Sequence, residues 1–353
     1  MTRQDIKSLY PEEVIEIVWE MGGKDFQGRQ LFQWLHQKQA DSYQSMTNLP
    51  KAMRSQLEKE YPLLHLDPVD IQISALDGTR KYLFELPDGQ MVESVWMHYR
   101  HGDSVCISSQ AGCRMGCRFC ASAIGGLVRS LTAQEMLEQV YAVGRDVGKR
   151  VSHVVVMGTG EPLDNYDNLL RFLRLISHEQ GMHMSQRNLT VSTCGIVPRI
   201  YDLAREKLQI TLALSLHGAT DKKRQELMPV AKKYSLDEVM KACDFYFQNT
   251  GRRMTYEYSL VGGVNDTRED VKQLVQLLQH RNCHLNLIPV NPVKERSFRQ
   301  PDQKVAGNFK NKLEKYGINV TIRREMGRDI DGACGQLRRR HMALKEEMPL
   351  GGK

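Results

Sequence analysis

No stretch of the 353-residue chain approaches the ~18 consecutive apolar residues that a membrane-spanning helix needs. Its first residues, Met1-Thr2-Arg3-Gln4-Asp5, hold no apolar segment of the secretory kind. Low-complexity linkers are absent, and nothing repeats beyond a strand-helix unit. With 41% hydrophobic and 26% charged residues, the composition falls outside the disordered, collagenous and disulfide-scaffold classes. A folded, soluble protein of about two domains is expected, with the cytoplasm as its compartment and no membrane partner.

Charge is unevenly spread. Residues 1–100 hold 11 Lys and Arg against 15 Asp and Glu, so the remainder holds 38 against 27. A basic body suits a polyanion such as nucleic acid, because each neutralised phosphate releases counterions. Many basic enzymes bind none.

Apolar positions three and four apart predict helices over 11–21, 28–37 and 50–61. Alternating segments at 71–74, 81–86 and 91–99, separated by Asp77-Gly78 and Asp88-Gly89, predict antiparallel strands. From about residue 104, strands at 105–109, 153–157, 189–193, 210–216, 254–260 and 284–290 alternate with helices at 132–144, 166–178, 198–206, 236–249, 268–280 and 304–316. A further strand follows at 319–324. The fold class is α/β with a parallel sheet, and the pattern alone leaves a doubly wound sheet and a barrel equally open. The division expected is a helical module at 1–65, linking antiparallel strands at 66–100, the main α/β unit at 101–345 and a tail at 346–353.

The sharpest motif is Cys113-Arg-Met-Gly-Cys117-Arg-Phe-Cys120, placed after the first strand of the alternating series. Sites of α/β proteins gather at the carboxyl ends of strands. Three such thiolates can hold three irons of a four-iron cluster and leave the fourth open, whereas ferredoxin clusters are closed by a fourth Cys. Zinc is the rival, but a structural zinc wants four ligands, and His101 or Cys106 would have to complete the set. Three buried cysteines without a role are the plain alternative.

After the second strand comes Gly158-Thr159-Gly160-Glu161-Pro162, whose glycines permit close backbone approach and whose carboxylate can accept from an ammonium group; a tight turn explains the same residues. Near the C-terminus, Cys334 lies in a glycine-bounded loop, as a nucleophile that moves between two positions would. Burial of a small residue explains it as well.

Together, CxxxCxxC after the first strand of a six-fold βα series resembles the signature of radical S-adenosylmethionine enzymes. Glu93 in Met-Val-Glu-Ser-Val, Val-Cys106-Ile-Ser-Ser-Gln and Asp-Ile-Asp-Gly-Ala-Cys334-Gly-Gln-Leu narrow the likeness to the RlmN/Cfr group of RNA methyltransferases, over essentially the whole chain. The resemblance implies a partial (β/α)6 barrel with a small helical accessory domain and a short antiparallel extension. It implies one [4Fe-4S] cluster on Cys113, Cys117 and Cys120, and two molecules of S-adenosylmethionine per turnover. By family position, Gly160, Glu161, Ser192, Ser215, Leu216, His217 and Asn291 contact that cofactor; apart from the likeness, the hydroxyls and imidazole could merely cap helices.

For the reaction, the resemblance implies that Cys334 is methylated first, that an adenosyl radical then takes hydrogen from the S-methyl group, and that the resulting methylene adds to an adenine carbon. Cys106 is implied to release the product through a transient disulfide, with Glu93 as proton acceptor. An electrophilic ring carbon cannot attack a methyl sulfonium directly, which is why a second kind of sulfur is needed. The implied targets are carbon 2 of an adenosine in the peptidyl-transferase region of 23S rRNA and of the adenosine 3′ of the anticodon in some tRNAs; carbon 8 is the close alternative. Flavodoxin or ferredoxin is the implied reductant, and a monomer is expected. Cys194, Cys243 and Cys283 match no catalytic position and are read as packing residues. Arg252-Arg253, Arg323-Arg324 and Arg338-Arg339-Arg340 are candidate phosphate contacts or simply solvated faces. From another class, a zinc-stabilised RNA-binding protein without catalysis fits the triplet and the charge.

Overall fold

Asp77-Gly78 and Asp88-Gly89 close two hairpins, joining strands β1 (Pro68–Ile73), β2 (Arg80–Glu85) and β3 (Met91–Tyr99) in antiparallel order. The computed structural model describes residues 5–291, 297–331 and 334–347. Strand β4 (Gly102–Cys106) pairs antiparallel with β3 on one side and parallel with β7 (His153–Val156) on the other, so one strand joins the extension to the barrel. Between them, β5 (Gln110–Gly112) and β6 (Leu127–Ser130) make a separate short ribbon.

The parallel run continues through β8 (Leu189–Thr193), β9 (Thr211–Ser215), β10 (Met254–Leu260), β11 (Cys283–Pro289) and β12 (Val320–Ile322). Spatial order follows chain order without reversal. A doubly wound sheet reverses direction and exposes a switch point; a sheet wound one way puts its crossover helices on one face and curls into a barrel wall. That resolves the choice left open by pattern. Among the described residues β1 and β12 each have a single sheet neighbour, so the barrel is partial.

The crossover helices start where the sequence caps them. Thr132, Ser235 and Thr267 each accept from the backbone N–H three residues on, and Glu135, Glu238 and Asp270 return the bond. Arg224 is fully buried in the helix Asp221–Leu227, where it donates to the carbonyls of Leu216 and Cys194 at the ends of β9 and β8.

The helical module, Pro11–Glu20, Asp25–His36 and Lys51–Glu60, docks against the helix Ala133–Val147. Lys7 and Glu138, both withdrawn from water, pair at 2.7 Å; Glu138 is also held by Arg145, whereas without Glu138 the Lys7 ammonium would keep only the Leu64 carbonyl. His36 lies in the same interface, 3.0 Å from the Tyr141 hydroxyl and with its ring tilted against Phe32. Burial, helped by Lys7 and His178, holds its imidazole down to about 3. The unfolded chain therefore binds a proton that the folded chain refuses between pH 6.5 and about 3, and stability falls as pH drops through that window. Urea titrations at pH 7.5 and 5 should show the wild type losing ~2 kcal/mol more than His36→Phe.

Candidate active site

The short ribbon that pattern reading missed carries the cysteine triplet. Gly112 of β5 pairs with Leu127 of β6, and the Cys113 N–H donates to the Gly126 carbonyl at 2.9 Å, so the loop 113–126 is pinched at its base. Its far side is tied down by Arg118 N–H to the Leu227 carbonyl, 2.9 Å.

Cys113, Cys117 and Cys120 line one cavity of about 250 Å³ at the carboxyl ends of the barrel strands, with Gly160, Glu161, Ser192, Ser215, His217 and Asn291 on its walls. Burial pushes all three thiols up, Cys113 to about 12, so they ionise only with a cationic partner. Among the described residues no three His, Cys, Asp or Glu side chains converge as one metal ion requires. Cluster thiolates bind separate irons and need no common point, so the donor set fits a cluster better than zinc. His101 stacks on Tyr99 and meets His153 edge-on at the other end of β4, and Cys106 faces Cys334; neither completes a tetrahedron with the triplet.

Gly160 has a φ of +113°, and a Cβ there would lie 2.8 Å from the Gln110 backbone nitrogen. No side chain fits between the ends of β4 and β7. Gly160→Ala should cost ~2 kcal/mol of stability by thermal unfolding and weaken S-adenosylmethionine binding alongside. The Glu161 carboxylate accepts from the backbone N–H groups of Cys194 (2.7 Å) and Leu163 (3.1 Å), and burial raises it above its usual range.

His217 takes a left-handed φ of +53°, its Nδ1 accepts from the Ser259 N–H at 2.8 Å, and burial lowers it to about 3. The neutral ring therefore carries its proton on Nε2. Ser192 donates to the Val156 carbonyl. Leu216 is the exception among the cofactor candidates: its side chain is fully buried in the core, and only its backbone, bonded to Glu257 and Arg224, stands near the site.

Cys334 closes this cavity and opens onto a second of about 380 Å³, lined by Cys106, Val95, Met97, Met326, Arg323, Arg324 and Arg328. Its sulfur lies 3.4 Å from the Met157 carbonyl and shares a hydrogen bond with Cys106. That bond and burial push the Cys106 thiol up, while the same bond and the nearby Lys81 charge favour the thiolate of Cys334. Glu93 is buried, not an exposed strand residue: it accepts from the N–H groups of Gly335 (2.6 Å) and Arg338 (2.7 Å), at the start of the helix Gln336–Glu347. A carboxylate there satisfies free helix donors and meets the positive end of the helix dipole. Gly332 and Ala333 of the cysteine motif, and 348–353 of the tail, lie outside the described residues.

Several residues depart from the sequence reading. Cys194 lines the thiol-lined cavity instead of serving only as packing, while Cys243 and Cys283 sit in the core as read. Arg252 and Arg253 precede β10 and so lie at the end of the barrel away from the cavity. Arg338 is buried, not part of a solvated basic face. Glu257 was missed altogether. It forms a polar row with Ser215, Asn286 and Thr321, paired side by side across β9 to β12, and accepts from Asn286 at 2.9 Å beside the cavity. The alternation of β10 gave no hint that a carboxylate points inward.

Residues 107–278 match the Radical SAM superfamily, and residues 5–62 match the ribosomal RNA large subunit methyltransferase N-terminal domain. A radical SAM methyltransferase from Sphaerobacter thermophilus superposes with a TM-score of 0.90 at 41% identity, covering 94% of this chain and 98% of that one. Fold and site thus define a radical S-adenosylmethionine enzyme, a class whose members carry a 4Fe-4S cluster. Proteins named probable dual-specificity RNA methyltransferase RlmN are 58% identical in Lachnospira eligens, over 96% of this chain and 97% of that protein, and 48% identical in Clostridium botulinum, over 95% and 96%. The chain belongs to this RlmN family of RNA methyltransferases. Among the described residues no helix is long and apolar enough to cross a membrane.

Proposed function

We propose that the protein methylates carbon 2 of adenosine in both 23S rRNA and tRNA, with Cys334 carrying the methyl group. One observation supports this above others: Cys334 stands in the wall shared by the thiol-lined and arginine-lined cavities, with its free thiol hydrogen-bonded to that of Cys106. A group loaded from one side can be delivered to the other.

Cys113, Cys117 and Cys120 would hold a single [4Fe-4S] cluster, and Gly160, Glu161, Ser192, Ser215, His217, Asn291 and the backbone at Leu216 would hold S-adenosylmethionine. When bound, the cluster supplies the electron that cleaves S-adenosylmethionine to a 5′-deoxyadenosyl radical. The Cys334 thiolate accepts a methyl group from one molecule of the sulfonium and gives up hydrogen from that methyl to the radical of a second. Met97, Met326 and Val95 offer an apolar floor to an unstacked adenine, and Arg323, Arg324 and Arg328 meet its phosphates. The methylene radical left on the Cys334 sulfur adds to the ring carbon, Glu93 takes the proton leaving that carbon, and the odd electron of the adduct would pass back to the cluster. Cys106 sulfur then attacks Cys334 sulfur; the S–S bond forms as the S–CH2 bond breaks, and the departing carbon takes a proton.

Residues 1–65 serve in this reading as an RNA-binding accessory domain, 66–100 as the linking strands and 101–345 as the barrel. A flavodoxin or ferredoxin supplies electrons to a cytoplasmic monomer. In Cys106→Ala a covalent enzyme–RNA adduct should accumulate, visible as a shifted band on denaturing gels with labelled RNA; normal release would remove Cys106 from its role.

Nucleoside mass spectrometry tests the proposal directly, on a 23S rRNA fragment and tRNA incubated with anaerobically reconstituted protein, S-adenosylmethionine and a reductant. 2-Methyladenosine from both is expected. 8-Methyladenosine would replace carbon 2 by carbon 8, and neither product with an intact cluster would reject the proposal.

A further inference from the structure

Beyond the charge that favours the Cys334 thiolate, Lys81 takes no part in the reaction outlined above, yet it reaches the cysteine loop from inside the protein. It is fully buried on β2, and its ammonium lies 3.1 Å from Glu93 Oε2 and 2.6 Å from the Asp331 carbonyl oxygen. Cross-strand pairing sets Leu83 opposite Glu93 and Lys81 opposite Val95, so Lys81 and Glu93 are diagonal neighbours on one face of the hairpin. Glu93 in turn takes the N–H of Gly335. Asp331 precedes Cys334 by three residues and Gly335 follows it directly, so one ammonium–carboxylate pair grips both stems of the loop.

We propose that Lys81 is a positioning residue for the methyl-carrying cysteine: paired with Glu93, it fixes the loop so that Cys334 meets Cys106. This rests on the reading of Cys334 as the methyl carrier. An ammonium withdrawn from water is costly unless its partners are well placed, and an apolar residue here would leave the buried Glu93 carboxylate without its cation, held only by the N–H groups of Gly335 and Arg338. The outer side of the loop is held separately. Gln72 exchanges two bonds with Asp331 (2.9 and 3.0 Å), and Asp329 accepts from Ser74 and the Ala75 N–H. Loss of Lys81 therefore loosens the inner stems while the outer attachments remain, and the loop shifts without the fold coming apart.

The test is the rate at which Cys106 and Cys334 form a disulfide in the anaerobically reconstituted full chain treated with diamide, followed by mass spectrometry of the linked peptides. Two thiols become one disulfide, and their two electrons and two protons pass to diamide. Lys81→Met should slow this by roughly tenfold or more, as a displaced reacting pair does. Lys81→Arg should restore most of the rate. Leu169→Ala, a core change on the helix Tyr166–Ser177, lowers stability without touching the loop and should keep the wild-type rate. Should the methionine variant fail to fold, Lys81→Gln replaces it with the same slowing expected. A wild-type rate in either uncharged variant, or equal slowing in Leu169→Ala, would overturn the proposal. Wild-type protein that forms the disulfide but is never S-methylated at Cys334 would instead count against the methyl-carrier reading.

Discussion

Cys334→Ala lowers RNA methylation by on the order of 10⁴-fold or more, while iron and sulfide per chain stay at the wild-type level. The size of the effect follows from chemistry. The proposed target, an adenine ring carbon, is electrophilic and cannot take a methyl group from a sulfonium, so without the thiolate there is no slower version of the same path. The retained cluster follows from geometry, because Cys334 only contributes to the wall of the thiol-lined cavity and none of the backbone bonds of the pinched loop involve it. Nucleoside analysis and iron determination on the same preparation check both halves. Appreciable turnover by the variant would remove Cys334 from the reaction.

Cys113→Ala has an effect as large but at an earlier step. Two remaining thiolates in a site that burial makes hostile to bare thiolates cannot retain a four-iron cluster. The purified variant should lose its brown colour, form no 5′-deoxyadenosine with a strong reductant, and leave the RNA unmethylated. Cys243→Ala is the control: Cys243 is also buried but sits in the core, and its loss should leave the iron content unchanged. Full cluster content in Cys113→Ala would mean that another residue ligates.

Much of this architecture was legible because its elements are amphipathic and well punctuated. Strands 189–193 and 254–260 were read with the boundaries they have, and the helices capped by Thr132, Ser235 and Thr267 begin within a residue or two of prediction. What escaped was short or inverted in polarity. The ribbon of β5 and β6 has strands of three and four residues, too short for alternation to show, although it supports the whole cysteine loop. The helix Asp221–Leu227 is almost all polar, so nothing marked the burial of Arg224 within it. Sequence reading assigns charge to the surface, and Lys81, Glu93, Glu257 and Arg338 are buried charged residues whose partners come from distant elements.

The candidate site divides along the same line. Spacing alone pointed to Cys113, Cys117 and Cys120, because three thiols in eight residues have few other uses. Cys334 stood out by its glycine-bounded loop, but its role and the parts given to Cys106 and Glu93 came only from resemblance, since the bonds of this group span separations such as the 242 residues between Glu93 and Gly335. Their convergence is a product of the sheet order, which sets β3 beside β4 and brings the C-terminal loop against both.

The most direct test of methyl delivery through Cys334 is the isotope content of the product made from S-adenosylmethionine bearing a fully deuterated methyl group. If that methyl rests on Cys334 and loses one hydrogen to the adenosyl radical before its carbon joins the ring, the new methyl group on adenosine carries two deuteriums. Three deuteriums would mean that the group moved intact, and that Cys334 does not act as proposed.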